Sequence, residues 1–388
     1  MEEVEPAGLS PRGRRGIALI ALALTGMAAG VAAYLWSTMP HPYNGPPPPA
    51  TSQPIPVSMD WRSGAEGWIV VHDAGGPESV LFRTTDGGGR WQREFEINGP
   101  AFVRFTDSSH GTLRANAAQA AGARVLRTDD AGAHWRPVIL PRLEPGAAAS
   151  QFFVDRDHGW LLATESAGGA SRARVFATDD GGQTWRPLSE IQGGVAGDLY
   201  FVSATTGWLF GRGGDGVSAL YQTRDGGRTW TRQELPVGSI GPVSADLLDI
   251  AAPTVAADGH GVLPVYDRQG MQVWTYVTAD GGATWGEPRP LPWRGTARRP
   301  AFLDGRTGWT WDSGSAWLSG DGGRTWNAVS RLPGTWQFSD VVPVGAATAW
   351  AVAAQDTGRG SLGPTRWALF RTTDGGQHWS RIPMPSLE

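Results

Sequence analysis

Beyond Pro40 the chain runs as short apolar stretches separated by polar, glycine-rich turns, with few helix-type patterns. Apolar runs at 102–105, 152–154, 199–202 and 341–344 each lead into a turn and a second run that opens on Gly-Trp or a looser form of it. That turn reads Glu66-Gly67-Trp68, His158-Gly159-Trp160, Thr206-Gly207-Trp208 and Thr307-Gly308-Trp309, with looser forms at His110-Gly111-Thr112, His260-Gly261-Val262 and Thr348-Ala349-Trp350. A longer loop follows, then a third run such as 80–83, 125–127 or 175–177, a tight Asp-Gly turn and a fourth run. Each unit therefore predicts four short antiparallel strands.

The tight turn is an octet, Ser/Thr-x-Asp-x-Gly-x-x-Trp, spelled seven times at 84–91, 128–135, 178–185, 223–230, 278–285, 319–326 and 372–379. Its acids are Asp86, Asp130, Asp180, Asp225, Asp280, Asp321 and Asp374, spaced 44, 50, 45, 55, 41 and 53 residues apart. Asp-Gly and Ala-Gly dipeptides supply the positive φ of a hairpin. The carboxylate is expected to accept backbone N–H groups two residues on, the hydroxyl to add a local bond, and the Trp to start the next strand and bury its ring. Seven equivalent acids suit a structural role better than catalysis, since one active site does not need seven.

Four strands per 40–55 residues, repeated seven times, predict an all-β, seven-bladed β-propeller of four-stranded antiparallel blades. The first unit runs from about Val57 to Ile97 and the last from about Trp336 to Met384, in one phase. Closure by packing of first on last blade is expected, with a strand added from 52–57 as the alternative.

The octet resembles the Asp-box, or bacterial neuraminidase repeat. Together with the Gly-Trp turn it is similar to the propellers of the photosystem II stability and assembly factor family, and also to sortilin-type and xyloglucanase-type propellers. The resemblance covers 57–384 and implies the fold; Asp-box proteins include hydrolases, receptors and assembly chaperones alike.

The 388 residues include 55 Gly, 29 Pro and 20 Trp, a turn-rich β composition. Cysteine is absent, which removes disulfides, thiolate metal sites and a Cys nucleophile. All 33 basic residues are Arg, so lysine Schiff-base chemistry is excluded as well. A net charge of −4 argues against general nucleic-acid binding. No cofactor is expected.

Residues 16–36 form a 21-residue uncharged stretch behind Arg12, Arg14 and Arg15. This is long enough to span a bilayer with the Arg side cytoplasmic. A cleaved signal peptide would end near Val31-Ala32-Ala33; an anchor would continue into Tyr34 and Trp36, and is preferred. The expected organisation is a cytoplasmic segment 1–15, a transmembrane signal-anchor helix 16–36, a Pro-rich linker 37–56 and the propeller 57–388. The propeller would then be extracytoplasmic on a single-pass membrane protein, or secreted after cleavage.

In this topology the Gly-Trp turns and octets share one face. Loops between second and third strands, and between blades, lie on the other and vary most in length, at 144–150, 163–174, 211–218, 236–246, 291–299 and 355–366. Trp293, Arg294, Arg298 and Arg299, with Arg212, Arg359 and Arg366 on same-face loops, form a candidate Arg-rich binding patch. Solvated loop charge is the competing account. A sialidase needs an arginine triad, a Tyr nucleophile and acid/base carboxylates; only Tyr200, Tyr221, Tyr266 and Tyr276 fall within the propeller. Arg381-Ile382-Pro383 copies the sialidase Arg-Ile-Pro letters but follows the last octet, and is expected as an outer strand. Asp246, Asp249 and Asp304 are single carboxylates without a visible partner. Asp155-x-Asp157-His158 reads as a polar turn rather than a metal site, like His110 and His260 before their glycines.

The function expected is a protein-binding assembly factor or scaffold whose partner is another protein, membrane-associated or secreted. The alternative is a glycan-active or glycan-binding propeller, and a third reading is a surface protein without a discrete ligand.

Overall fold

A computed structural model describes residues 54–387 apart from 74–75, 116–123, 145–146, 168–169, 237–239, 241–242, 244, 269–271, 292–299 and 356–365. The expected signal-anchor 16–36 and nearly all of the linker lie outside the described residues; within them no helix is long and apolar enough to cross a membrane. The described strands form seven antiparallel sheets, each built from consecutive strands in sequence order. The first strands, which line the centre, are Ile55–Trp61, Ala101–Phe105, Ala148–Phe153, Val195–Phe201, the pair Leu248–Ile250 and Thr254–Val255, Ala301–Phe302, and Gln337–Pro343. Blade 5 alone has a split first strand. Pro253 lies in the gap and Pro264 stands on the facing strand, so two ladder donors are missing there.

The octets close the third-to-fourth-strand hairpins through one repeated set of bonds. In Asp180's copy the Thr178 hydroxyl donates to Asp180 Oδ1 (2.7 Å) and accepts the Gly182 N–H (2.8 Å). The carboxylate accepts the N–H of Thr184 at 2.9 Å and its hydroxyl at 2.6 Å. The N–H following the Asp reaches across to the first turn of the same blade, as in Gly181 N–H to Asp157 O (2.9 Å) and Gly87 N–H to Ala65 O (2.7 Å). The carboxylate thus caps N–H groups three and four residues on, not two as expected. The two-residue reach belongs to the hydroxyl, which also accepts the Asp180 N–H. The fifth octet position sits at positive φ, for example Gly182 at 84°. Ala131 holds φ 63° where other copies have Gly, at a cost of about 1 kcal/mol.

The Gly-Trp turn explains itself at the interface between blades. Gly159 faces Phe153 across its own sheet, and a Cβ there would lie 2.4 Å from the ring. Gly67 under Trp61, Gly207 under Phe201 and Gly308 under Phe302 repeat the arrangement. The Trp that follows stacks on the corresponding ring of the next blade: Trp68 on Phe105 at 3.6 Å and Trp160 on Phe201 at 3.5 Å. Its Nε1–H donates to the next octet's backbone, Trp68 to Ala131 O (2.7 Å) and Trp160 to Gly226 O (2.8 Å). Where blade 2 has Thr112 in place of Trp, the Arg127 guanidinium covers Phe153 instead, at 4.2 Å. Blade 7 carries Ala349 opposite Pro343, where no flat ring demands a glycine.

The last blade meets the first through the same contact. Trp350 stacks on Trp61 at 3.7 Å and donates to Gly87 O (3.2 Å), while Arg371 donates to Gly64 O (2.8 Å). Trp91 donates to Pro383 O (2.9 Å), so the C-terminal tail covers the seam. Every described blade supplies its own four strands, in agreement with closure by packing.

Trp350 is fully buried. Its replacement by Ala is expected to cost about 3–5 kcal/mol in chemical unfolding, as for other buried aromatic truncations. Asp180→Ala should cost about 1 kcal/mol, comparable to loss of a helix cap. The carboxyls of Asp130, Asp180, Asp225, Asp280 and Asp374 are held down to about 2, chiefly by the hydroxyl, N–H and imidazole donors of the octet. A depressed folded-state pKa stabilises above the unfolded value near 4 and is lost as pH falls toward 2. Melting temperature should therefore drop across that window, and less steeply in Asp180→Ala.

Candidate functional site

On the variable-loop face the expected Arg patch is only partly within view. Trp293, Arg294, Arg298, Arg299 and Arg359 lie outside the described residues. Arg366 opens the third strand of blade 7 and is exposed. Arg212, at the end of the second strand of blade 4, reaches the first strand of blade 5, with Nη2 donating to Asp246 O (2.8 Å) and Asp249 Oδ1 (3.1 Å). Its side chain is 18% exposed, and its bonds join two blades.

Of the acids weighed for hydrolysis, Asp249 and Asp304 are likewise engaged. Asp249 faces Arg212 and Arg268, at 3.1 and 3.8 Å. Asp304 accepts the N–H groups of Arg306 and Thr307, and Asp155 those of Asp157 and His158, both closing first turns. Tyr276 donates to Pro236 O (2.8 Å), and burial raises its pKa. Arg381 lies in the outer strand of blade 7, as expected, over Trp336 at 5.3 Å. A cleft of about 690 Å³ between blades 4 and 5 is bonded across itself, with Gln233 Nε2 donating to Gly282 O (2.7 Å).

The central channel holds an arrangement that loop-based reasoning misses. The next-to-last residues of the first strands are Asp60, Arg104, Phe152, Tyr200, Thr254, Ala301 and Val342 in blades 1 to 7. Several of them act on the strand of the following blade. Asp60 Oδ2 accepts the Phe105 N–H, Phe152 meets Tyr200 edge-on at 5.2 Å, and Thr254 donates to Phe302 O (3.5 Å). Further from the octet face, Ser58 accepts the Val103 N–H (3.2 Å) and Ser150 bonds Asp198. Inner strands have one unpaired edge, and side chains of the preceding blade satisfy part of it.

Arg104 departs from this pattern. Its guanidinium lies over Phe152 at 4.5 Å and Tyr200 at 6.0 Å, so it crosses from blade 2 past blade 3 toward blade 4. Among the described residues it donates no hydrogen bond and closes no ion pair, yet it is solvent-exposed. Confinement between protein walls lowers its pKa, against the opposing pull of Tyr200 and Asp60. The neighbouring acid is already used: Asp60 Oδ1 accepts from Arg62 at 2.7 Å and Oδ2 from Phe105 N–H. Burial raises the Asp60 pKa all the same. Tyr200 is also shifted upward by burial, which opposes formation of a phenolate nucleophile. The signal for Arg104 was present in the register: Phe-Val-Arg-Phe puts an Arg where the other blades place an acid, a ring or a small residue.

No protein-family model matches the chain, and no curated protein sequence does. Solved structures do match. A structure of YCF48 bound to a D1 peptide is 17% identical, with TM-score 0.49, over 79% of this chain and 91% of that one. The Niastella koreensis GH74 enzyme is 11% identical, with TM-score 0.41, over 84% of this chain and 64% of the enzyme. An acylaminoacyl peptidase of Pyrococcus horikoshii is 8% identical, with TM-score 0.56, over 86% of this chain and 53% of the peptidase. This chain thus spans less than two thirds of the two enzymes' length, and the likeness establishes the propeller fold.

Arg212→Ala should lower stability by about 1–3 kcal/mol in thermal or urea unfolding, the range for lost charge-assisted hydrogen bonds. An unchanged melting curve would show that the contact between blades 4 and 5 does not depend on it.

Proposed function

We propose that this chain is a membrane-anchored, extracytoplasmic propeller that binds another protein and serves as a scaffold or assembly factor. The observation that carries the reading is the division of labour in the ring. The octets, the Gly-Trp turns and the inner-strand contacts are spent on holding blades together, whereas connections of very different length leave the opposite face. The uncharged stretch 16–36 behind three Arg residues supports the anchor, and the run Pro46–Pro49 supports a spacer between membrane and ring.

The glycan-active alternative has less behind it. Its candidate acids Asp249 and Asp304 are held by Arg212 and by turn N–H groups, and Tyr200 and Tyr276 are both shifted upward rather than toward the phenolate. Binding by a protein partner asks for none of these groups to be reactive.

Crosslinking of the full-length protein in its native membranes, followed by affinity purification and mass spectrometry, is expected to recover one near-stoichiometric membrane or secreted protein. Crosslinks should map to the loop face or the channel mouth. Recovery of no partner, together with turnover in a glycosidase substrate screen, would overturn the reading.

A further inference from the structure

We infer that Arg104 is the receptor of a carboxylate-binding site at the octet-side mouth of the channel, and that the carboxylate is carried by an extended polypeptide segment. The inference deepens the protein-binding reading and rests on it.

Four features converge on this site. Arg104 is an exposed residue whose guanidinium, among the described residues, makes no hydrogen bond, so its N–H donors are left without a protein acceptor. It lies against two rings, Phe152 at 4.5 Å and Tyr200 at 6.0 Å, contacts that favour its orientation before any ligand arrives. Both oxygens of the one nearby acid, Asp60, are occupied by Arg62 and the Phe105 N–H. Arg62 and Arg104 therefore outnumber Asp60. An Arg fork matches a carboxylate in two parallel hydrogen bonds, which water replaces poorly.

The wall deeper in the channel limits where such a ligand can go. Asp198 lies two residues before Tyr200 on the same strand and bonds Ser150. That carboxylate disfavours passage of an anion beyond Arg104, so a ligand is held at the mouth. A side chain or chain end on a narrow, extended segment fits this end-on approach. A flat apolar surface does not, because the first turns around the mouth carry polar side chains such as Asp107, Asp155 and Asp304.

The test uses the full-length protein and three probes: acetyl-Gly-Ser-Glu-Ser-Gly-amide labelled with a fluorophore, its Glu→Gln counterpart, and sodium acetate as competitor. Anisotropy should show binding of the Glu peptide, and at least about tenfold weaker binding of the Gln peptide. Arg104→Gln should weaken the Glu peptide by a similar factor, and Arg104→Lys, which keeps the charge without the fork, should fall between. Equal affinity of the two peptides, or unchanged affinity in Arg104→Gln with an unchanged melting curve, would overturn the site. Acetate competing as well as the peptide would overturn the polypeptide source. If Arg104→Gln proves unstable, the Glu/Gln comparison and the Arg104→Lys variant still decide. The two readings separate in crosslinking: a partner captured equally by wild type and Arg104→Gln leaves the scaffold reading and removes this one. Arg104-dependent peptide binding without any captured partner does the reverse.

Discussion

The ring depends on the contact between one blade and the next, and at three of the seven junctions that contact is a Trp laid flat on an aromatic ring that itself lies over a glycine. The glycine lets the ring approach its own sheet, since a Cβ at Gly159 or Gly67 would lie within 2.4 Å of it. The ring then offers its outer face to the Trp of the preceding blade, as Phe201 does to Trp160 and Trp61 to Trp350. Dispersion and burial of two large rings supply the energy, and the indole N–H fixes the rotation by seeking the next octet's carbonyl. An octet therefore has two duties, closing its own hairpin and receiving the neighbour's indole.

A second constraint comes from the inner strands, whose free edges border the channel. Propellers leave these edges short but not absent, and here neighbouring side chains satisfy several of their groups. Asp60, Ser58 and Thr254 serve the first strand of the next blade, and Ser218 and Arg212 bond Leu248 O at the start of blade 5. Polar residues inside the channel are thus expected on structural grounds alone. A carboxylate there is not by itself a sign of chemistry, and the same applies to Arg212 on the loop face.

The number of blades, their phase, the closure and the common face of octets and Gly-Trp turns were legible because each rests on local chemistry repeated seven times. The exceptions became intelligible only in three dimensions. Thr112 breaks the Gly-Trp pattern because Arg127, fifteen positions later in the chain, occupies the space over Phe153. Ala349 replaces a glycine because Pro343 faces it. Arg212 looked like free loop charge because nothing in the sequence tells that Asp246 and Asp249, on the next blade, fold against it. Arg104 was passed over for the opposite reason: it sits in an apolar strand, where a charge is readily taken for a solvent-facing alternate position.

Repetition changes what counts as a functional signal. In a repeat fold, residues that recur in register are explained by the contact they repeat, and length variation in loops is cheap because it costs the ring little. The informative residue is one that breaks its register while the surrounding contacts stay intact. By that criterion Ala131 is a strained exception with its bonds preserved, and Arg127 is an exception absorbed by packing. Arg104 is different in kind. The acid beside it is already satisfied by Arg62 and the Phe105 N–H, so no ion pair among the described residues uses its charge. A guanidinium kept in a confined channel loses solvation that the protein does not fully return. Such a cost is compatible with stability and is offset when an anion binds. That places the more specific recognition element on the uniform octet face, with the variable loops opposite free to define a different contact.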